Sequence, residues 1–445
     1  MRVERVGVVG AGTMGAGIAQ LACIGGLETW LHDPVPEALG AGQRRVADGL
    51  AKGAVRGMWS EAEAEAAEER LNLVEQVERL GECQLVIEAA PEDLGLKREL
   101  FAELAGLCGP EAILATNTSS LSVTAIAAGV ERPERVCGMH FFNPPPLMRL
   151  VEIVAGDDTS PQTLEAATEV ARAMRREPIR AADAIGFVAN RLARPFTLEA
   201  LRLLGEGVAP IDQIDRIVRM GGGFRMGPFE LMDLVGVDVN FEVAKSFWEQ
   251  SFHEPRWQPH PIQARTVAAG RHGRKSGRGY YEYEGGAHRP EDPEPPERDS
   301  GWQRDADLEA SIHHMALPSF EEAAVVEIAR DPSMSDGDAE AAERYFRAGG
   351  KHVEWVGEAP GLVLGRILAQ IVNEAHFALA QGVATQDDCN TAMRLGFNWP
   401  HGPFEWGEAI GLDRAVAILD ELHDELGEER YRVAPLLRAR AASDA

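Results

Sequence analysis

The chain contains 445 residues, of which 45 % are apolar and 26 % are charged, as in an ordinary globular protein. At the usual figure of roughly 100–200 residues per domain, this length predicts about three domains. With 71 acidic against 44 basic residues, the formal net charge is −27. That charge argues against nucleic acid or an anionic membrane as a partner, so an anionic ligand needs a local basic patch.

The five cysteines form no CxxC pair and no metal-like cluster, which predicts buried free thiols in a reducing compartment and no metal site. No run of about 18 or more apolar residues occurs, so no membrane span is expected. The segment MRVERVGVVGAG enters a strand almost at once and leaves no room for a signal peptide. These features predict a cytoplasmic protein.

The first predicted elements are a strand, a glycine turn and a helix, in RVGVVGAGTMGAGIAQLACIGG. Gly10, Gly12 and Gly15 form the pattern G-x-G-x-x-G. The first glycine allows a tight turn, the second lets a phosphate approach the backbone, and the third lets helix and strand pack closely. The start of the helix supplies free N–H groups for a pyrophosphate. A dinucleotide is therefore expected to bind at Gly10, Gly12, Thr13, Met14 and Gly15.

The second predicted strand, LETWLHD, ends at Asp33. An acid at this position can accept hydrogen bonds from both ribose hydroxyls and would repel a 2′-phosphate. No arginine follows directly, the next being Arg44. The strand end therefore predicts NAD rather than NADP as the cofactor.

Residues 35–70 are rich in Ala, Glu and Arg and are predicted to be helical. Lys52 and Arg56 lie four residues apart, on one helical face. The sequence leaves two interpretations open: a solvated charged face, or a contact with a ligand phosphate.

Polar residues follow the next two predicted strands. In CQLVIEAAPEDLGLKREL, Glu92 and Lys97 come after the strand, at the sheet edge where open α/β sheets bind ligands. In EAILATNTSSLSV, the apolar run breaks into the polar group 116–120, which includes Asn117 and Ser119. We expect these groups to lie on the cofactor side of the sheet.

A further strand, RVCGMHFF, ends near His140, which three prolines and Glu152 follow. A lone histidine in an apolar run is more often a core residue, but this one is predicted at the ligand edge of the sheet. Oxidation of an alcohol needs a base for the hydroxyl proton, and histidine, with an unperturbed pKa of about 6.5, suits that task. Glu152 would fix its tautomer and stabilise the imidazolium.

The second half of the chain contains a repeat. Residues 186–238 align with residues 361–413 without a gap, at an offset of 175 residues. The sequence GPFE occurs at 227–230 and again at 402–405, and VEI at 151–153 recurs at 326–328. The period is too long for a solenoid, which indicates a duplicated unit.

The second copy has lost most of the polar set of the first. His140 corresponds to Met315, while Glu152 keeps a counterpart in Glu327. Ser119 and Asn190 correspond to Glu294 and Gly365. This contrast separates the residues expected to carry chemistry from those expected to support the fold.

The predicted fold class is an α/β Rossmann-type dinucleotide-binding domain followed by two tandem all-α helical domains related by duplication. The predicted boundaries are 1–183 for the NAD-binding domain, 184–284 for the first helical domain, 285–317 for a linker, 318–360 for a remnant strand–helix–strand of a second dinucleotide domain, and 361–445 for the second, degenerate helical domain.

These motifs resemble the 3-hydroxyacyl-CoA dehydrogenase family. GVVGAGTMGAGIA, TNTSSLSV, GMHFFNPPPLMRLVEIV, GFVANR, GPFELMDLVGVD and GRHGRKSGRGYYEY are similar to its signatures and occur in its order. The resemblance covers residues 1–284 almost continuously and 320–445 as a degenerate copy. The doubled helical part is similar to the long bacterial members linked to aromatic-acid catabolism.

The resemblance implies reversible, NAD-dependent oxidation of (S)-3-hydroxyacyl-CoA to 3-oxoacyl-CoA, with His140 as base and Glu152 orienting it. It implies that Ser119 and Asn190 bind the reacting oxygen or the thioester carbonyl. Where the family has a serine and a lysine that contact CoA, this sequence has Gly49 and Arg56. The remaining implied contacts with cofactor or substrate are Asp33, Glu92, Lys97, Asn117, Asn143 and Lys275.

Several alternatives stay open at this point. The substrate could be 3-hydroxyadipyl-CoA or 3-hydroxybutyryl-CoA, because nothing in the sequence shows which side chains face the acyl chain. A 6-phosphogluconate-type dehydrogenase would share the glycine pattern but lack the His140/Glu152 spacing, and a non-catalytic NAD-binding relative would be expected to lose its polar set. The repeat predicts an internal pseudo-dimer of helical domains, and the sequence leaves a homodimer open.

Overall fold

The structure, a computed structural model, describes residues 2–285, 287–330 and 333–444. The chain forms two compact units. The first comprises Met1–Ala189 together with Gly382–Gly396, and the second comprises Asn190–Gln381 together with Phe397–Ala445.

The strands and helices follow one another along the chain. The strands are β1 Arg5–Val9, β2 Glu28–His32, β3 Leu71–Val74, β4 Leu85–Glu88, β5 Ile113–Thr116, β6 Val136–Phe141, β7 Leu150–Ala155, β8 Glu177–Ala182, β9 His314–Met315, β10 Val325–Ala329 and β11 His352–Val356. The helices are α1 Thr13–Ile24, α2 Pro36–Val55, α3 Glu61–Glu68, α4 Leu94–Leu107, α5 Val123–Ala127, α6 Pro161–Ala173, α7 Ala189–Leu192, α8 Arg194–Glu206, α9 Ile211–Gly222, α10 Pro228–Val235, α11 Val237–Gln250, α12 Pro261–Ala268, α13 Ala306–Ala310, α14 Asp336–Ala348, α15 Leu364–Ala380, α16 Gln386–Gly396, α17 Pro403–Ile410, α18 Leu412–Leu426 and α19 Pro435–Asp444.

The first unit is built on an eight-stranded sheet in the order β3-β2-β1-β4-β5-β6-β7-β8. All neighbouring strands are parallel except β6 and β7, which are antiparallel. Strands β4, β5 and β6 are buried along their whole length, as expected for apolar runs covered on both faces. The predicted Rossmann-type domain is confirmed, and its ligand edge is the carboxyl end of the parallel strands.

The second unit contains a small sheet in the order β11-β10-β9. Strand β10 is parallel to β11 and antiparallel to β9, which repeats the relations of β7 to β8 and to β6. The register is also repeated, because Glu152 pairs with His140 in one sheet and Glu327 pairs with Met315 in the other. Strands β6, β7 and β8 of the large sheet therefore match β9, β10 and β11 at the offset of the sequence repeat.

This small sheet corrects one predicted boundary. Residues 285–317 were expected to be a linker, yet α13 and β9 lie inside that range. The segment 318–360 contains the expected strand, helix and strand as β10, α14 and β11, and β9 adds a third strand to its sheet by pairing with β10. A two-residue strand has too short a pattern to be recognised from sequence; its pairing partner defines it.

Helix α16 corrects another boundary. Residues 361–445 were predicted to form one helical domain, whereas α16 belongs to the first unit and packs against β7 and β8. The Ala182 N–H, at the end of the sheet's edge strand, donates a hydrogen bond to the Val383 carbonyl oxygen at 2.8 Å. An edge strand has unpaired backbone groups, and this segment satisfies one of them.

Within the second unit, helices α8 and α15 pack together, and two reciprocal buried ion pairs join α15 to α7 and to α8. Arg191 Nε lies 2.7 Å from Glu374 Oε1, and Arg366 Nε lies 3.0 Å from Glu199 Oε2. Both arginines and both glutamates occupy corresponding places in the two aligned segments. These pairs give Arg191 and Arg366 a structural role.

All five cysteines are buried thiols, as predicted. Among the described residues, no cluster of His, Cys, Asp and Glu could hold a metal ion. No helix in the described part of the chain is long and apolar enough to cross a membrane.

Candidate active site

The glycine turn between β1 and α1 has the geometry that a dinucleotide requires. Gly10 has a φ of +97°, and a Cβ on Gly15 would lie 1.8 Å from the Gly10 carbonyl oxygen, so a side chain fits at neither position. A Cβ on Gly12 would meet no atom within 4 Å. Gly12 is also the N-cap of α1, where no side chain caps the helix. The turn thus leaves open space in front of uncapped helical N–H groups, and a pyrophosphate fits there.

Asp33 follows β2 directly and is fixed beside this turn. Its Oδ2 accepts the Ala11 N–H at 2.8 Å, and its Oδ1 accepts the Val35 N–H at 2.9 Å. Each carboxylate oxygen keeps a lone pair for a ribose hydroxyl. The Arg45 guanidinium donates to the Ala11 carbonyl oxygen at 3.2 Å, so a cation also lies at the turn.

A buried charged cluster ends strand β4. Glu88 is fully buried and accepts from Lys97 Nζ at 2.5 Å and from the Thr116 hydroxyl at 2.7 Å. The Lys97 ammonium also lies 3.4 Å from Glu92 Oε2. Lys97 was predicted to contact cofactor or substrate, but its side chain is 1 % exposed in this structure and its charge is taken up by two carboxylates. It anchors α4 to the end of β4, while the Thr116 hydroxyl joins the end of β5 to Glu88.

Glu92 organises the loop after β5. Its Oε1 accepts hydrogen bonds from the Thr118 hydroxyl at 2.7 Å, from the Ser119 N–H at 3.0 Å and from the Ser120 hydroxyl at 2.9 Å. Burial by itself would raise the pKa of Glu92, but the hydrogen bonds from Thr118 and Ser120 and the charge of Lys97 outweigh burial and lower that pKa. The loop is therefore fixed by an ionised carboxylate, with Ser119 exposed beside it.

Asn117, predicted as a cofactor contact, has a clear structural partner. Its Oδ1 accepts the Phe141 N–H at 2.8 Å, which joins the end of β5 to the end of β6. This bond fixes the backbone immediately after His140.

His140 and Glu152 lie opposite each other on antiparallel strands β6 and β7. His140 Nδ1 donates to Glu152 Oε2 at 2.6 Å, and Glu152 is fully buried while His140 is 5 % exposed. Among the described residues, the other ring nitrogen, Nε2, has no hydrogen-bond partner. The neutral ring therefore carries its proton on Nδ1 and a lone pair on Nε2.

The second oxygen of Glu152 accepts two backbone N–H groups, from Val188 at 3.0 Å and from Ala189 at 2.9 Å. The turn before them has left-handed backbone at Gly186, with a φ of +69°, and at Phe187, with a φ of +50°. A phenylalanine in this conformation is uncommon, and the surrounding contacts hold it there. The turn aims two amide donors at one buried carboxylate.

Two phenylalanine rings enclose the imidazole. The ring centroid of Phe142 lies 4.6 Å from that of His140, and the ring centroid of Phe187 lies 5.7 Å from it. These contacts limit rotation of the imidazole and exclude water from one side of it.

Thr13 and Met14 are the first two residues of α1, directly after the glycine turn, and their cofactor contacts stay predictions. Four other predicted residues remain. Arg56 is exposed at the end of α2, and Asn143 is exposed in the loop after β6. Asn190 is half-buried, directly after Ala189, and Lys275 forms an ion pair with Asp238 at 2.7 Å; both residues belong to the second unit. None of these four placements tests a ligand contact, so all four stay predictions.

At Gly49, where the family's serine would stand, a Cβ would lie 2.1 Å from Gln20 Oε1. The buried Gln20 amide fills that space. A glycine fits at position 49 because Gln20 occupies the space of a side chain. This position therefore has no hydroxyl that could contact CoA as the family's serine does.

Sequence reasoning missed four contributors to the site, and the reasons differ. Glu88 was overlooked because it lies inside an apolar strand run. Arg45 is one of two adjacent arginines on a helix, and sequence does not show which one reaches the turn. Phe187 belongs to the motif GFVANR, in which only the polar Asn190 was predicted as a site residue. The Ala189 N–H is a backbone group and has no sequence signal.

Comparisons with known proteins identify the family of the chain. The family model described as "3-hydroxyacyl-CoA dehydrogenase, NAD binding domain" matches residues 5–184. The model of the C-terminal domain matches twice, at residues 186–283 and 361–444. The chain belongs to the 3-hydroxyacyl-CoA dehydrogenase family. It is accordingly an NAD-dependent oxidoreductase.

Similar proteins match along the whole chain. A 3-hydroxyadipyl-CoA dehydrogenase of Escherichia coli K12 is 40 % identical, over 99 % of this chain and 98 % of its own. A crystal structure of a 3-hydroxybutyryl-CoA dehydrogenase from Escherichia coli K12 has a TM-score of 0.93 and 38 % identity, covering 100 % of this chain and 99 % of its own. A probable 3-hydroxybutyryl-CoA dehydrogenase of Bacillus subtilis is 38 % identical over 64 % of this chain and 99 % of its own. The last match covers 64 % of this chain and almost all of its own, as expected for a shorter relative.

Proposed function

We propose that this member of the family oxidises (S)-3-hydroxyacyl-CoA with His140 as general base and Glu152 as the residue that orients and charges it. The single observation that supports this assignment is the 2.6 Å hydrogen bond from His140 Nδ1 to Glu152 Oε2. It leaves the lone pair of Nε2 to accept the proton of the substrate hydroxyl.

Glu152 suits this task because it is buried and accepts three hydrogen bonds. The Val188 and Ala189 N–H groups fix one oxygen, so the other is held in line with the imidazole. When His140 takes the proton, the carboxylate stabilises the positive charge that forms. Bound NAD would supply the acceptor for the hydride that leaves the carbon bearing that hydroxyl.

The cofactor is proposed to lie along the carboxyl edge of the sheet. Its pyrophosphate would rest against the turn at Gly12, and its adenine ribose against Asp33. Ser119, held in the loop that Glu92 organises, would donate a hydrogen bond to the reacting oxygen or to the thioester carbonyl. Arg56, exposed on α2, would provide the local positive charge that a phosphate of CoA needs on a protein with a net charge of −27.

The two full-length relatives act on different acyl chains by name, 3-hydroxyadipyl and 3-hydroxybutyryl. The adipyl chain is two carbons longer and ends in a carboxylate. The ratio of kcat/KM for 3-hydroxyadipyl-CoA to kcat/KM for 3-hydroxyhexanoyl-CoA, which has the same length without that carboxylate, therefore measures whether the acyl pocket recognises an anion.

The experiment that tests the proposal is reduction of acetoacetyl-CoA with NADH, followed by loss of NADH absorbance, for the wild-type protein and His140→Gln. The wild type is expected to turn over, and the variant to lose activity by about a thousandfold or more while retaining NADH binding. An active His140→Gln variant would show that another group is the base.

We also infer that the two helical segments arose by duplication and pair within one chain. The repeated match of one family model, the repeated strand register and the reciprocal pairs of Arg191 with Glu374 and of Arg366 with Glu199 support this. Reciprocal contacts are typical of two-fold symmetric dimers. In such a dimer, a residue i of one subunit contacts a residue j of the other, and residue j of the first contacts residue i of the second.

A further inference from the structure

In sequence, helix α16 lies in the second copy of the repeat, but in space it belongs to the first unit, which contains His140 and Glu152. It begins three residues after Val383, whose carbonyl oxygen accepts the Ala182 N–H at 2.8 Å. Its last residue, Gly396, is packed against strand β7 and the turn that follows β8.

The surroundings of Gly396 are the supports of the proposed dyad. A Cβ on Gly396 would lie 2.8 Å from Leu150 Cδ2, 3.6 Å from Ala189 Cβ and 3.7 Å from Phe142 Cε1. Leu150 lies two residues before Glu152 on β7. Ala189 donates its N–H to Glu152, and the Phe142 ring contacts the imidazole of His140. A side chain at this one position would therefore meet residues that support both His140 and Glu152.

Two of these three contacts recur, without the chemistry, in the second unit. Gly221 is the counterpart of Gly396 at the offset of 175 residues. A Cβ there would lie 3.1 Å from Leu364 Cδ2 and 3.9 Å from Val325 Cβ, the counterparts of Ala189 and Leu150. The bond from Ala182 to Val383 is repeated by the Gly357 N–H, which donates to the Val208 carbonyl oxygen at 2.7 Å.

The second unit therefore serves as an internal comparison. Glu327 keeps the place of Glu152, but Met315 stands where His140 would be, so this helix–sheet contact supports no base. Corresponding residues thus pack against the helix in both units, but only one of the two sites contains a histidine.

We propose that α16 is a positioning element for the proposed His140/Glu152 pair, and that the close fit at Gly396 sets the Ala189 N–H and the Phe142 ring. Residues 382–396 of the second helical copy thereby help to hold the active site in place, while the rest of that copy packs in the second unit. The inference rests on the proposed function, because it assigns α16 a task only if the pair does the chemistry.

The test is a matched pair of substitutions, Gly396→Val and Gly221→Val, in the full-length protein. Each inserts the same side chain at the same helical position, so both are expected to lower the Tm. Gly396→Val should reduce kcat at least about tenfold while the KM for NADH changes less than about twofold, since displacements on the order of 1 Å cost up to about a hundredfold in rate. Gly221→Val should leave kcat of the folded protein unchanged.

The pH profile of kcat supplies a readout that general destabilisation would not move. In the oxidation direction, the acidic limb of the Gly396→Val profile should shift to lower pH, because a displaced carboxylate stabilises the imidazolium less. Gly221→Val should keep the wild-type profile.

If Gly396→Val does not fold, Gly396→Ala replaces it, and Leu150→Val is added as a rescue because valine lacks the Cδ2 atom that the new methyl would meet. The double variant should recover kcat relative to Gly396→Ala. A folded Gly396 variant with wild-type kcat and pH profile would overturn the proposal, and so would an equal loss of kcat in Gly221→Val. An inactive wild-type protein would instead refute the proposed function.

Discussion

Glu152 and Glu327 occupy corresponding places on β7 and β10, and each accepts two consecutive backbone N–H groups at the start of the helix that follows its sheet. Only Glu152 also faces a histidine; Glu327 is paired in register with Met315. The carboxylate thus has a structural task that is common to both sheets, namely to satisfy backbone donors at a helix start. We infer that the chemistry was added to this task in one sheet only.

Glu152→Gln should lower kcat by at least about a hundredfold. A glutamine can keep one oxygen on the Val188 and Ala189 N–H groups, but its NH₂ group would then face His140 Nδ1. That nitrogen would have to accept, so the proton would move to Nε2 and the base would lose its lone pair. Steady-state kinetics with acetoacetyl-CoA measures the loss, and NADH fluorescence titration should show nearly unchanged binding. Glu327→Gln is the matched control and should keep kcat; wild-type turnover in Glu152→Gln would contradict the assignment.

Glu327 should make the stability of the protein depend on pH. Burial raises its pKa to about 8, since the N–H groups of Val363 and Leu364 offset only part of the desolvation and the charge of Glu354 adds to the rise. The unfolded chain ionises near the ordinary value of about 4.3, whereas the folded chain stays protonated until about pH 8. Stability is therefore lost progressively between these values as the pH rises.

The measurement is the free energy of unfolding of wild type and Glu327→Gln at pH 5 and at pH 8. The variant cannot ionise, so its stability relative to wild type should improve from pH 5 to pH 8 by more than about 1 kcal/mol. A difference that stays the same at both pH values would show that Glu327 does not titrate in this window.

Asp33 should determine the preference for NAD. Its two oxygens are fixed by the Ala11 and Val35 N–H groups, which places a negative charge where a 2′-phosphate would lie. The wild type should prefer NADH over NADPH by about a hundredfold or more in kcat/KM. Asp33→Ser should narrow this ratio, helped by Arg45 at the same turn. Comparable kcat/KM for both cofactors in the wild type would refute the ribose assignment.

A protein that ends at residue 284 should fail as a stable, active monomer. It would lack α15, which leaves the buried Arg191 without Glu374 and leaves Glu199 with Arg202 alone, and a buried charge that loses its partner costs on the order of 3–5 kcal/mol. It would also lack α16 against strands β7 and β8. Light scattering should show dimers or aggregates in place of monomers. A monodisperse monomer with wild-type activity would require another explanation for the second segment.

Local patterns in the sequence were sufficient for the nucleotide-binding half. The glycine spacing, the acid after the second strand and the polar breaks after apolar runs each depend on residues close together in the chain, where backbone conformation limits the choices. The spacing of twelve residues between His140 and Glu152 also brought the pair together, because two neighbouring antiparallel strands joined by a short loop place such residues in register.

What the sequence left undecided depends on contacts between distant residues. Lys97 was predicted at a ligand, and only the packing shows Glu88 as its partner. Helix α16 was assigned to a separate domain because it follows α15 directly, yet Val383 meets Ala182 across about two hundred residues of chain. The sequence by itself determined the family of the protein, its cofactor and the candidate base, since these are set by short motifs. Only the tertiary structure decided which residues hold that base in place, because packing energy depends on shape across the fold and not on order along the chain.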